Sequence, residues 1–188
     1  MIKARTTAKD MRFIQVDKKE VAVRKVFISY HRADTRQKNR LVEELQLQHI
    51  NYYVVPDDAN YNGIHNQEIC QEILKEMDKC DCVICLVGKE TYQRPHVDYE
   101  LKYAFHKRKG IVVLLIENRK DSVYAPNKST FPPRLNDNME YIAFSQFASG
   151  MGNIEILIKQ ANNNAGSRLQ IKNTRKCMPL RNKKYYDN

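Results

Sequence analysis

The chain reads as a doubly wound α/β fold, and three observations lead there. Short apolar runs alternate with segments of helical period along the sequence, the pattern of a parallel sheet crossed by helices. Two of the runs, Cys82 to Val87 and Ile111 to Ile116, are continuously apolar, as strands covered on both faces must be. Turn-forming residues separate the runs. Five strands in this arrangement, joined by right-handed crossovers, predict a flavodoxin-like three-layer sandwich with a five-stranded parallel sheet of order 2-1-3-4-5.

The elements follow in order. Residues 1–23 are polar with little periodicity and read as a basic arm. Arg24 to Tyr30 alternates into a first strand around Val26-Phe27-Ile28 and ends at Ser29-Tyr30-His31. Asp34 or Thr35 can cap a helix reaching about His49, with Leu41, Val42 and Leu45 at helical spacing. Tyr52 to Val55 is a second short strand, halted by Pro56, and Pro56 to Gly63 is dense in turn-formers. Asn66 caps a second helix whose stripe is Ile69, Ile73 and Met77, flanked by Cys70 and Leu74. Cys82 to Val87 is the third strand. The helix after it runs to about Lys109 and stops at Gly110, with Lys107, Arg108 and Lys109 placed against the negative end of its dipole.

Ile111 to Ile116 is the fourth strand. Glu117 to Asn138 carries three prolines and no clear period. Tyr141 to Phe144 is the fifth strand, and Ile154, Leu157, Ile158 and Ala161 mark a last helix. The reading divides the chain into an arm (1–23), one domain (24–164) and a basic, unpatterned C-terminal tail (165–188).

Composition narrows the function. The chain has 188 residues, 42% hydrophobic and 29% charged, enough for one domain with a proper core. Its net charge of +10 is unevenly spread. Residues 1–25 hold eight Lys/Arg against three Asp/Glu and residues 165–188 seven against one, leaving 17 against 18 between them. The fold itself is near neutral, so a nucleic-acid reader, which wants its basic face on the fold, is the least favoured class. No apolar run approaches a membrane span, and Met1-Ile2-Lys3-Ala4-Arg5 leads into no apolar signal core, so a cytoplasmic protein is expected. The five cysteines lack histidine partners at zinc spacing. No metal is expected, and Cys80, Cys82 and Cys85 read as small buried hydrophobes.

In a sheet of this order ligands bind at the carboxyl ends of strands one and three. Those ends are Ser29-Tyr30-His31 and Gly88 onward, and the helix opening there carries Glu100 about one turn inside its start. Val97, Leu101, Ala104 and Phe105 form that helix's buried stripe. Glu100 lies roughly 70–80° from the stripe's centre, on the edge where a helix meets a crevice. Proximity to the positive helix end is expected to keep it ionised. By position alone it is either a helix-end charge or a catalytic group. Ser29, Tyr30 and His31 stand where a phosphate or ribose could bond them, or where they would cap the loop. Arg94 can meet a pyrophosphate or pair with Asp98 or Glu90. His96 can stack on a ring or cover the helix start. Asp57 and Asp58 read as turn residues. No G-x-G-x-x-G loop follows the first strand, which argues against a hydride-transferring dehydrogenase.

Three stretches carry a resemblance: Val26-Phe27-Ile28-Ser29-Tyr30-His31; the strand end Leu86-Val87-Gly88; and Thr91-Tyr92, Arg94, Val97-Asp98-Tyr99-Glu100-Leu101 with Ala104. Over roughly residues 24–160 the chain resembles the TIR domain, specifically the TIR-like branch of bacterial Thoeris anti-phage systems. That family commonly places a tryptophan where this chain, which has none, carries His96. The resemblance implies an enzyme that consumes NAD+ as substrate, with no separate cofactor. Such an enzyme cleaves the nicotinamide–ribose bond with the motif glutamate, here Glu100, and Ser29, Tyr30, His31, Arg94 and His96 are candidate substrate-binding residues. It further implies an ADP-ribose-derived product, cyclic or conjugated, sensed by a separate effector protein, and possible homo-oligomers. The alternatives are an interaction module assembling through Pro56 to His65 and a deoxyribosyltransferase-like nucleoside enzyme.

Overall fold

The computed structural model describes residues 25–55, 66–116 and 131–178, and of 66–70 the backbone alone. The N-terminal arm, the Pro56–His65 loop with Asp57 and Asp58, the side chains of Ile69 and Cys70, residues 117–130 and the last ten residues lie outside the described residues.

Five strands build the sheet: β1 (Lys25–Ser29), β2 (Asn51–Val54), β3 (Cys82–Val87), β4 (Gly110–Leu115) and β5 (Ala143–Gln146). All neighbours pair in parallel, in the order β2-β1-β3-β4-β5. The helices are α1 (Thr35–Leu47), α2 (Asn66–Asp78), α3 (Pro95–His106), α4 (Pro133–Asn136), α5 (Phe147–Met151) and α6 (Ile154–Gly166).

Strand alternation divides the core into two layers. Phe27, Val83, Cys85, Val87, Ile111 and Val113 face α2 and α3, meeting Ile73, Met77, Val97, Leu101, Ala104 and Phe105. Val26, Ile28, Cys82, Ile84, Leu86, Val112 and Leu114 face α1, α5 and α6. Every residue of β3 is buried, which is why its sequence is apolar without alternation. Cys80, Cys82 and Cys85 are buried and free, and burial pushes the Cys80 thiol up to about 11 and that of Cys82 up to about 12.

Several boundaries differ from the sequence reading. The chain reversal after α3 is made not at Gly110 but at Arg108, whose φ is 50° and whose guanidinium donates to the Ser167 carbonyl at 2.6 Å. Gly110 opens β4 and is needed for close approach: a β-carbon there would lie 3.0 Å from the Ala161 carbonyl carbon, inside the space α6 occupies. The fifth strand begins at Ala143 because Tyr141 and Ile142 are consumed as core. The Tyr141 hydroxyl donates to the Lys109 carbonyl at 3.0 Å. α5 was not foreseen; its five residues are too few to show a period.

The tail beginning at 165 is corrected in part. Helix α6 reaches Gly166, and residues 167–178 run along α3 and α4 as a docked strap. Leu169 and Ile171 pack against the core, and the Lys172 amide donates to Asn138 Oδ1 at 2.7 Å. Beneath the strap lies Arg134, fully buried, with Nε 3.0 Å from Asp98 Oδ1 and Nη2 3.2 Å from Oδ2. Its Nη1 donates to Asn173 Oδ1 at 2.8 Å, and the Met178 amide donates to Asp98 Oδ2 at 3.0 Å. Two apolar side chains and one buried ion pair therefore hold a segment whose sequence shows only charge.

Candidate functional site

The sheet order places the switch point between β1 and β3, where the chain departs in opposite directions to β2 and β4. Ser29 closes β1 in register with Cys85 of β3. It shares the sheet face of Phe27, so its hydroxyl is aimed at α3. Across that gap Glu100 reaches back from the helix's second turn, and Ser29 Oγ donates to Glu100 Oε2 at 2.6 Å. Ser29 is 1% and Glu100 6% exposed. Helix α3 is set at this angle by Arg94-Pro95: Arg94 is held extended ahead of the proline, which takes the first helical position.

Burial raises the Glu100 carboxyl to about 7, and the Ser29 hydrogen bond pulls it partly back. This corrects the expectation that the helix end keeps it ionised. The helix's free amides act over the first turn, and in the second turn the loss of hydration dominates. The group therefore gives up its proton far less readily than an exposed glutamate. The adjacent Cys85 thiol is pushed up by burial and then by the Glu100 charge, so it is an inert neighbour.

The loop after β3 forms the second wall. Thr91 is buried and clamps it, with Oγ1 accepting from the Gly88 amide at 2.9 Å and lying 3.4 Å from the Leu86 carbonyl. Arg94 pairs with Glu90 rather than with Asp98, which Arg134 occupies. The Arg94 Nε is buried with no hydrogen-bond partner among the described residues.

From the β1 side, His31 caps the 3-10 turn Arg32–Asp34, its Nδ1 accepting from the Ala33 amide at 3.4 Å. Burial and then Arg94 lower it to about 4, so it is neutral. His96, in the first turn of α3, is likewise lowered to about 4 by burial. Tyr30 diverges: the alternation of β1 turns it to the opposite face, where Lys38 sits 5.4 Å from its ring centroid. Of the residues selected by sequence, Ser29 and Glu100 are in contact. The Arg94 charge contributes to the lowered pKa of His31, and Tyr30 lies on the opposite sheet face from Ser29.

Asp34 was read only as a cap. It occupies the N-cap of α1 but makes no capping bond, and its carboxylate lies instead against Gly88 at the end of β3. Nothing in the sequence announces this, because a capping aspartate and a crevice aspartate look alike.

A parallel five-stranded sheet of this order, with helices on both faces and a buried glutamate at the switch point, defines a TIR-like α/β domain. The sequence model of the family described as Thoeris protein ThsB, TIR-like domain, matches residues 27–121, a span holding Ser29, Asp34, Gly88, Arg94, His96 and Glu100. The chain belongs to that family. No curated protein matches it. No helix of the described residues is long and apolar enough to cross a membrane.

Proposed function

We propose that this member of the Thoeris TIR-like family cleaves the nicotinamide–ribose bond of NAD+ and makes an ADP-ribose-derived signalling nucleotide, cyclic or conjugated, for a separate effector protein. The observation that carries the reading is the buried Glu100 carboxyl, held by Ser29 at the switch point of the sheet.

The chemistry asks for one carboxylate. Nicotinamide is cationic while attached and departs as a neutral molecule, taking the electrons of the glycosidic bond, so no acid has to protonate it. That separates the reaction from ordinary glycoside hydrolysis, in which a second carboxyl group serves the leaving group. Charge builds on the ribosyl carbon, and an ionised carboxylate beside it in a water-poor site stabilises that charge strongly. A nucleophile, water or a hydroxyl or ring nitrogen of a nucleotide, then bonds to the carbon; where it carries a proton, that proton is released. The nucleophile decides between ADP-ribose, a cyclic isomer and a conjugate.

An acid near 7 suits a group that must ionise when the cation arrives. Substrate binding brings a positive ring next to this burial-raised carboxyl and favours its charged form. Ser29 then donates to the carboxylate and fixes its orientation. Arg94, paired with Glu90 through Nη2 but with an Nε that has no partner among the described residues, is a candidate cation for the pyrophosphate, and the neutral His31 and His96 add no repulsion to the cationic ring.

The test is to incubate the purified chain and Glu100→Gln with NAD+, alone and with extract of phage-infected cells, and to identify products by mass spectrometry. NAD+ loss by the wild type and not by the variant is expected. No loss under any condition, or equal loss by both, contradicts the reading and leaves assembly without catalysis as the stronger account.

A further inference from the structure

An aspartate at a helix N-cap ordinarily turns its side chain onto the free amides of the first turn. Asp34 does not. The 3-10 turn ahead is capped by His31, and Thr35 Oγ1 donates to the Arg32 carbonyl at 2.7 Å. The Asp34 carboxylate instead spans the gap between the β1 loop and the end of β3. A β-carbon on Gly88 would stand 2.4 Å from its Oδ2 and 2.5 Å from its Oδ1, so the glycine is what leaves it room.

In that place Oδ2 is buried and has no hydrogen-bond partner among the described residues. A buried carboxylate oxygen without a donor is costly, and native folds rarely leave one unless a functional role, a bound water or a bound group accounts for it. Desolvation and then Glu90 raise Asp34 to about 6, while Arg94 opposes them, so at neutral pH it is largely ionised. It is an acceptor waiting for a donor.

The position gives that donor a chemistry. The Asp34 carboxylate lies against Gly88, just past the end of β3, and the Ser29–Glu100 pair lies at Cys85 near the end of the same strand, so both carboxylates stand at the carboxyl end of β3. Asp34 would repel a phosphate. A sugar offers hydroxyl donors and no charge. We propose that Asp34 is a second substrate-binding residue of the site, accepting a hydrogen bond from a hydroxyl of the ribose that carries nicotinamide. The inference rests on the NAD+ reading above and deepens it.

A non-cleavable ligand keeps the two separable. The carbocyclic analogue of NAD+ retains both hydroxyls of that ring and cannot be cleaved by the same route. It is titrated calorimetrically into the wild type, Asp34→Asn, Asp34→Ala and Gly88→Ala, together with the matching analogue lacking those hydroxyls. A hydrogen bond to a charged acceptor leads to an affinity loss of about 10- to 100-fold for Asp34→Ala and a smaller loss for Asp34→Asn. Gly88→Ala should weaken binding as well, since the added methyl displaces the carboxylate while retaining its charge. The hydroxyl-free analogue should bind wild type and Asp34→Ala alike. Thermal melts should show Asp34→Ala no less stable than wild type, because the carboxylate makes no capping bond and its buried Oδ2 has no partner among the described residues.

Equal affinity of wild type and Asp34→Ala for the hydroxylated analogue overturns the proposal, as does an equal loss for both analogues or no binding by the wild type. A hydroxyl-dependent loss in a protein that consumes no NAD+ leaves Asp34 assigned while the catalytic reading fails.

Discussion

Ser29 and Glu100, separated by 71 positions in the chain, share a 2.6 Å hydrogen bond between two buried side chains. The contact exists because β1 and β3 are neighbours in the sheet while α3 returns over the end of β1. Among the described residues, the serine is the partner that draws the Glu100 carboxyl back towards its ordinary acidity.

Ser29→Ala should therefore raise the Glu100 titration above about 7 and move the acid limb of any activity profile to higher pH. Loss of the donor also leaves a buried carboxyl oxygen unpaired, at a cost of about 1–3 kcal/mol. Carbon-detected NMR titration of the glutamate side chains and urea denaturation check the two parts. An unmoved titration would show that burial alone sets the acidity.

Glu100→Gln should stabilise the fold at alkaline pH. The native carboxyl, at about 7, holds its proton where the unfolded one, at 4.5, has lost it, so wild-type stability falls as pH rises from about 4.5 to about 7 and then levels. A shift of that size corresponds to a difference on the order of 3 kcal/mol above pH 7, vanishing below pH 4.5. Urea denaturation of both proteins from pH 4 to 8.5 measures it, and a pH-independent difference would contradict it.

His31 and His96 act in the opposite sense. Both are lowered from 6.5 to about 4, so the unfolded chain binds their protons first and stability is lost as pH falls from about 6.5 towards 4. Two imidazoles should titrate near 4 in proton NMR, and the acid destabilisation should persist in Glu100→Gln.

Arg134→Met should cost about 3–5 kcal/mol, because it leaves Asp98 buried without its guanidinium. It should also loosen the strap, since Arg134 holds Asn173 and the Arg175 carbonyl. Faster tryptic cleavage at Arg168 and Lys172 in the variant reads the loosening. Asp98→Asn/Arg134→Met should recover part of the stability, and failure of any recovery would argue that the guanidinium acts mainly through the strap.

How far the sequence carried varies with the physics of each element. β3 and β4 were legible because a parallel strand covered on both faces is a continuous apolar run, and α3 because Val97, Leu101, Ala104 and Phe105 repeat at helical spacing. β5 was displaced because Tyr141 and Ile142 are apolar for the core rather than for the ladder; burial and pairing leave the same signature. Glu100 and Ser29 could be selected, yet the acidity of Glu100 was misjudged, since a sequence shows the helix end and not the depth of burial. Asp34 and the Asp98–Arg134 pair were invisible, as each depends on where a side chain points after distant segments meet.

Nicotinamide release with and without the Glu100 carboxylate tests the proposed cleavage of NAD+. Nicotinamide release is followed by liquid chromatography in wild type and Glu100→Gln, both shown folded by circular dichroism, with the activating extract present. Release by the wild type and a loss of at least about 100-fold in the variant are expected, as when a principal electrostatic group is removed. Equal release by the two proteins would contradict it.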